Sequence, residues 1–181
     1  DTIAGPIDIY GRTKLIGEDL LREFSHRTNV TAISARLFNV YGPNETNMHL
    51  IPAIFEQIKD GSSTIELGNV KPKRDFVSVF DVARAFTAIL KTVDSGYQTY
   101  NIGTGTTHSV REVVGCIDSL LDRTLSIEQD EERVREVDRN NLQADIKRIR
   151  EEVDWSPEMD LYSGLEHLLR TEGFEPATNS V

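Results

Sequence analysis

Cysteine is nearly missing from this sequence: Cys116 stands alone among 181 residues, so no internal disulfide can form. Its apolar neighbours recur at helical spacing and make it a packed or half-packed thiol, and a reducing, cytoplasmic setting is expected. Long apolar runs are missing as well. None approaches the roughly 20 residues of a membrane span, and the N-terminus lacks the basic and apolar regions of a signal peptide. Positive charge is scarce: 20 Lys and Arg face 30 Asp and Glu, a formal net charge of −10. That balance excludes a general affinity for nucleic acid or anionic membrane, since phosphate backbones select surplus cations. Any anionic ligand must therefore meet a local basic cluster. The opening stretch DTIAGPIDIY has no methionine and runs almost at once into a helical pattern, which reads as a fragment of a longer chain.

What is present suits a globular protein, with 38% hydrophobic and 28% charged residues, and a length sufficient for one core or two small lobes. From Tyr10 to about Arg27, Leu15, Ile16, Leu20, Leu21 and Phe24 recur at three- and four-residue steps and predict an amphipathic helix. NVTAISARLFNVYGP then reads as a buried strand running into a loop, and HLIPAIFEQIKDG as a helix with Pro52 in its first turn and Gly61 beyond its end. STIELG and YQTYNIGTG read as strands. Between them, Phe76, Val77, Val79 and Phe80 alternate as in a strand, and a helix follows with Asp81 as its expected N-cap. Ser109 and Glu112 predict a capping box for a helix facing inward through Val110, Val113, Val114, Ile117, Leu120 and Leu121. Helices are expected around Ile146, Ile149 and Val153 and around Leu161, Leu165, Leu168 and Leu169, with EPATNSV as a loose tail. Strands alternating with helices imply an α/β fold with a mainly parallel sheet.

IDIYGRTKLIGEDLL sets Tyr10 four residues before Lys14, about one helical turn, so both side chains can converge on one ligand. A free phenol, with a pKa of about 10, is a poor base at neutral pH, and a neighbouring ammonium favours its ionised form. Such a pair can take a hydroxyl proton while hydride leaves the same carbon for a cofactor. The same spacing also occurs in helices whose lysine is simply solvated.

Read in order, YGRTKLIGE, ARLFNVYGP, HLIPAIFEQI, KRDFVSVFDVARA, YNIGTG and VDWSP resemble successive landmarks in the C-terminal half of the extended short-chain dehydrogenases/reductases. That is the NAD-dependent epimerase/dehydratase family of nucleotide-sugar enzymes, and the resemblance covers roughly residues 6 to 170. It implies that Tyr10 is the catalytic base, and that Lys14 holds the nicotinamide ribose and lowers the phenol pKa. It also implies that Phe38 lies beside the nicotinamide and that Asn39 hydrogen-bonds the sugar nucleotide. His49 and Leu50 would line the substrate pocket, and Arg74 and Arg133 would clamp the diphosphate, a task suited to guanidinium forks. In the branch that makes GDP-fucose, a histidine at the place of His49 is a general acid, so His49 is also an acid candidate. Each of these residues also has a plain structural reading: Arg74 and Arg133 as solvated charges, Phe38 as core, Asn39 as a strand end.

The family's glycine-rich pyrophosphate loop and its catalytic Ser or Thr belong upstream of the tyrosine, beyond the nine residues that precede Tyr10. GTGTTH at 103–108 is not that loop, because the third glycine is missing; its glycines are expected to turn the chain near the substrate. The resemblance thus implies the later half of a Rossmann-like parallel sheet, residues 1–41 and 74–104, with a smaller interleaved α/β lobe for the nucleotide sugar, 42–73 and 105–172, and a tail, 173–181. The cofactor implied is NAD, with NADP open, and no metal ligand is assigned. The implied partners are a nucleotide-diphosphate sugar and a second copy in a homodimer, with neither nucleic acid nor membrane. The implied activity is transient oxidation at sugar C4, first of all by a 4-epimerase. A 4,6-dehydratase, an epimerase/reductase, a non-catalytic binding module and a reductase of small carbonyl compounds are alternatives.

Overall fold

Fifteen elements follow from these local signals in a computed structural model that describes residues 5–6, 8–131 and 139–177. The chain opens with α1 (Ile9–Thr28), β1 (Ala32–Leu37), β2 (Asn39–Tyr41), α2 (Leu50–Lys59) and β3 (Thr64–Leu67). Next come β4 (Lys73–Arg74), β5 (Phe76–Ser78), α3 (Val79–Thr92), β6 (Tyr97–Ile102) and β7 (His108–Ser109). It ends with α4 (Val110–Leu121), β8 (Ser126–Gln129), β9 (Asn141–Leu142), α5 (Lys147–Val153) and α6 (Leu161–Thr171). No described helix is long and apolar enough to cross a membrane.

Pairing is mainly parallel, as the alternation of strands and helices requires. β1 lies parallel to β6, β2 to β5, β3 to β8 and β4 to β9, while β4 and β7 run antiparallel. These pairs form four small sheets among the described residues. The stretch expected as one strand over 29–43 is two. At Phe38 the backbone changes partner: Phe38 N–H donates to the Ile102 carbonyl at 3.0 Å, and Asn39 N–H donates to the Asp75 carbonyl at 3.0 Å.

A second correction concerns α3. The expected N-cap, Asp81, lies inside the helix, and the cap is Ser78, whose hydroxyl accepts the Phe80 N–H. The strand therefore stops at Ser78, and Phe80 turns outward instead of continuing the alternation. Asp81 is fully buried, and its carboxylate accepts bonds from Arg84 at 2.6 Å and from the N–H groups of Glu158 and Met159 at 3.1 Å. That carboxylate fastens α3 to the loop before α6, a partner far away in sequence.

Two buried clusters fill the molecule. One gathers α2, α4 and α6 with β3, through Ile54, Ile65, Ile117, Leu165 and Leu169. The other packs α3 and α5 against β6, through Ile89, Ile102, Ile149 and Trp155. The expected capping box at Ser109 and Glu112 is present, and α4 buries Val110, Val113, Val114, Ile117 and Leu120. α1 differs from its expected single face. Leu15 and Leu21 are half-buried, whereas Ile16, Leu20 and Phe24 form a second, exposed stripe. Residues 174–177, expected as tail, lie on the first cluster: Phe174 packs edge-on against Phe55, and Ala177 N–H donates to the Leu120 carbonyl.

Candidate active site

Asp8 starts α1 by accepting the Gly11 N–H at 2.6 Å, which puts Tyr10 in the first turn. Side chains on a helix lean toward its N-terminus, so Lys14 reaches back over the tyrosine, its Nζ 5.2 Å from the ring centroid. α1 is tied to β1 by a two-pronged bond in which Arg36 donates to both Glu18 oxygens, at 2.7 and 2.6 Å. This bond raises the Arg36 pKa above its ordinary value, although burial works against it.

Tyr10 borders a cleft of about 960 Å³ together with Phe38, Asn39, Glu45 and His49. The cleft lies where β1 ends and the neighbours diverge, β6 to one side and β5 to the other. Open α/β sheets take ligands at such points, because diverging connections leave a crevice beyond the carboxyl ends of the strands. Asn39 and His49 also border a second cavity of about 600 Å³, which holds Leu50, Arg74, His108 and Phe76. The structure thus brings Tyr10, Phe38, Asn39 and His49 to one cleft, and Leu50 and Arg74 to a cavity that adjoins it. Lys14 stands beside Tyr10 but does not line the cleft. Arg133 lies outside the described residues.

Arg74 is held from behind. Its guanidinium donates to the carbonyls of Lys73 at 2.8 Å and Arg139 at 2.7 Å. Next to it, Asp75 is fully buried with no cation bonded to it among the described residues. Its carboxylate accepts the Thr104 N–H and hydroxyl, both at 2.7 Å, the Gly105 N–H at 2.9 Å and the Ala144 N–H at 3.1 Å. This knot accounts for the glycines of GTGTTH. A Cβ on Gly103 would come within 2.9 Å of the Asp75 carboxylate, and Gly105 has a φ of +76°, in the left-handed region. The N–H groups of Thr104 and Gly105 are thus spent on the protein's own carboxylate.

The sequence reading missed Asp75, Glu45 and Arg139. Asp75 did leave a signal, a carboxylate amid the apolar run of RDFVSV, where burial demands partners. Glu45, which is mostly buried, meets His49 at 2.6 Å from Oε1 to Nδ1. Arg139, also at the cleft, donates to the Gly5 carbonyl.

Comparison with known proteins gives this geometry a family. A family model described as GDP-mannose 4,6 dehydratase matches residues 1–168. GDP-6-deoxy-D-mannose reductase of Pseudomonas aeruginosa is 26% identical over 174 residues, covering 93% of this chain and 57% of that protein. dTDP-L-rhamnose 4-epimerase of Burkholderia thailandensis is 31% identical over 169 residues, covering 90% and 46%. Among solved structures, MoeE5 in complex with UDP-glucuronic acid and NAD superposes with a TM-score of 0.82 at 29% identity, covering 95% of this chain and 58% of that one. The chain spans about half the length of the curated relatives it matches. With a Tyr and Lys on one helix turn, a cleft at the strand handover and a family match along almost its whole length, the chain belongs to the NAD-dependent epimerase/dehydratase family of extended short-chain dehydrogenases/reductases.

Proposed function

We propose that this chain forms the base-bearing and substrate-binding part of an NAD(P)-dependent enzyme that oxidises the hexose of a nucleotide-diphosphate sugar transiently at C4, and that the outcome is 4-epimerisation. One observation carries the reading: the cleft of Tyr10, Phe38, Asn39 and His49 shares Asn39 and His49 with the adjoining cavity of Leu50 and Arg74. A sugar at the first and a diphosphate at the second fit that adjacency. The residues present also suit the nicotinamide end of a dinucleotide: Tyr10 and Lys14 would hold the ribose, and Phe38 would flank the ring. When bound, the cofactor supplies a reversible hydride acceptor.

The chain's own residues handle the proton, the orientation and the charge. Tyr10 Oη takes the proton of the sugar hydroxyl, and the Lys14 ammonium, 5.2 Å from the ring centroid, offsets negative charge developing on the phenol. Asn39 orients the sugar from the strand handover. Arg74, braced by two carbonyls, meets the diphosphate, with Arg133 as the proposed second fork. The higher identity to a 4-epimerase than to the reductase supports epimerisation. A second reading, reduction of a 4-keto nucleotide sugar, is favoured by the likeness to GDP-6-deoxy-D-mannose reductase.

We further propose the division into a cofactor side, 1–41 and 74–104, and a sugar-nucleotide side, 42–73 and 105–172. The two buried clusters support it, except that Ala144, Ile146 and Trp155 pack with α5 against β6, and that Tyr41 and Phe76 belong to the first cluster. Pairing of two copies through α1 is supported by the exposed stripe of Ile16, Leu20 and Phe24.

Tyr10→Phe in the full-length holoenzyme tests the reading against UDP-, dTDP- and GDP-hexoses. Turnover is expected to fall by about 10²- to 10⁴-fold while sugar-nucleotide affinity stays within about twofold. Undiminished turnover would remove Tyr10 as the base. Binding without turnover in the unaltered enzyme would favour a non-catalytic module.

A further inference from the structure

The residue before α2 departs from local rules. His49 occupies the N-cap, a position that favours Ser, Thr, Asp or Asn because their oxygens bond the first free N–H groups. Its side chain makes no cap bond. Departures of this kind gather at functional sites, where another demand outweighs the local one. Here the ring goes elsewhere: it lines both cavities, and its Nδ1 lies 2.6 Å from Glu45 Oε1.

The pair is lopsided. The His49 side chain is 64% exposed and that of Glu45 only 17%. An ion pair with so open a partner adds little to stability, since water screens it. Its effect on chemistry is larger. A carboxylate only accepts hydrogen bonds, so Nδ1 must carry the proton, and Nε2 is the nitrogen left for whatever enters the cleft.

We propose that Glu45 is a positioning residue: by accepting the Nδ1–H of His49 it fixes the ring's tautomer and presents Nε2 to a hydroxyl of the hexose bound where the two cavities meet. The hexose part of this inference rests on the functional reading above; the tautomer part does not. Specificity follows from the arrangement. A neutral His49 held this way accepts a hydrogen bond, so it selects a sugar that offers a donor at that point. An analogue without that hydroxyl forfeits the one bond to His49, a discrimination of about fivefold at so open a ring.

Nitrogen NMR of full-length protein labelled with ¹⁵N-histidine is the direct test, with the His49 signals identified by their loss in His49→Gln. At a pH where the ring is neutral, Nδ1–H is expected to predominate. Glu45→Leu, which lacks an acceptor, should shift the ring toward Nε2–H. Glu45→Gln, which keeps an acceptor oxygen, should restore Nδ1–H. In the holoenzyme, Glu45→Leu is expected to raise KM for the hexose substrate about fivefold with kcat little changed, the size of one lost hydrogen bond. Glu45→Gln should recover most of that loss, and adding His49→Leu to Glu45→Leu should add little, since the two act as one unit. An Nε2–H ring in the unaltered protein, or the same tautomer in Glu45→Leu, overturns the positioning role. A tautomer that shifts while KM does not overturns the ligand contact. Failure of the Tyr10 assignment would leave the tautomer result untouched, so the two ideas fail separately.

Discussion

Arg74 and Tyr10 face adjoining spaces, yet their supports are built differently. Behind Arg74, the buried Asp75 joins three separate segments, and two backbone carbonyls brace the guanidinium itself. Behind Tyr10, α1 fully buries only Ser25, holds β1 through Arg36 and Glu18, and leaves Ile16, Leu20 and Phe24 uncovered. One side of the site is thus organised by the interior of this chain, and the other by a helix whose outer apolar stripe is left uncovered by described residues. The difference teaches where rigidity comes from. A buried carboxylate saturated by N–H donors cannot move without leaving several polar groups unpaired at once.

The contrast is broken most sharply at Asp75. Asp75→Ala leaves the N–H groups of Thr104, Gly105 and Ala144 without their acceptor, and urea unfolding should show a loss of at least about 3 kcal/mol. Asp75→Asn, with one acceptor oxygen left, should fall between. Arg74→Ala comes next. It should raise KM about tenfold for a sugar diphosphate with little change in kcat, the size of one charge-assisted bond lost. An equal rise for a neutral carbonyl compound would point instead to a reductase of small carbonyls.

Glu112 offers a smaller, pH-dependent probe within the well-packed side. The Ser109 hydroxyl and N–H bonds of the capping box hold its carboxyl below its ordinary pKa. A pKa lowered by folding means stabilisation that is complete above the ordinary carboxylate range and is lost as pH falls through the lowered value. Stability measured from neutral pH down into that range should therefore fall less steeply in Glu112→Gln than in the parent. The smallest effect is expected on the outer stripe of α1. Leu20→Ser should change the stability of the unpaired chain, measured at a concentration where it is monomeric, by no more than about 0.5 kcal/mol, since the leucine is exposed there. A large loss there would show that α1 is as tightly integrated as β4.

Which parts were legible follows from the distance over which each is decided. The capping box and buried face of α4 lie within one helix, so spacing alone gives them. Tyr10 and Lys14 are neighbours for the same reason. Asp81 misled because an acidic residue before an apolar run looks like a cap, whereas its partners at 158 and 159 lie far along the chain. The two strands hidden in one apolar run were unreadable because no turn residue separates them, and the break shows only in their hydrogen-bond partners. Glu45 carried no local sign at all; its meaning depends on the turn that returns His49 to it.

By itself, the sequence determined the helices, the strand-rich segments, the turn of helix joining Tyr10 to Lys14 and the family they signal, because spacing along a chain sets direction and burial locally. Only the tertiary structure decided that Phe38 and Asn39 sit at a change of strand partner, that a second cavity adjoins the cleft at Asn39 and His49, and that Asp75 and Glu45 anchor residues around them. Apart from the Glu45–His49 contact, which a turn of four residues closes, those facts depend on hydrogen bonds between segments far apart in sequence, and such pairings are chosen by the packing of the whole core.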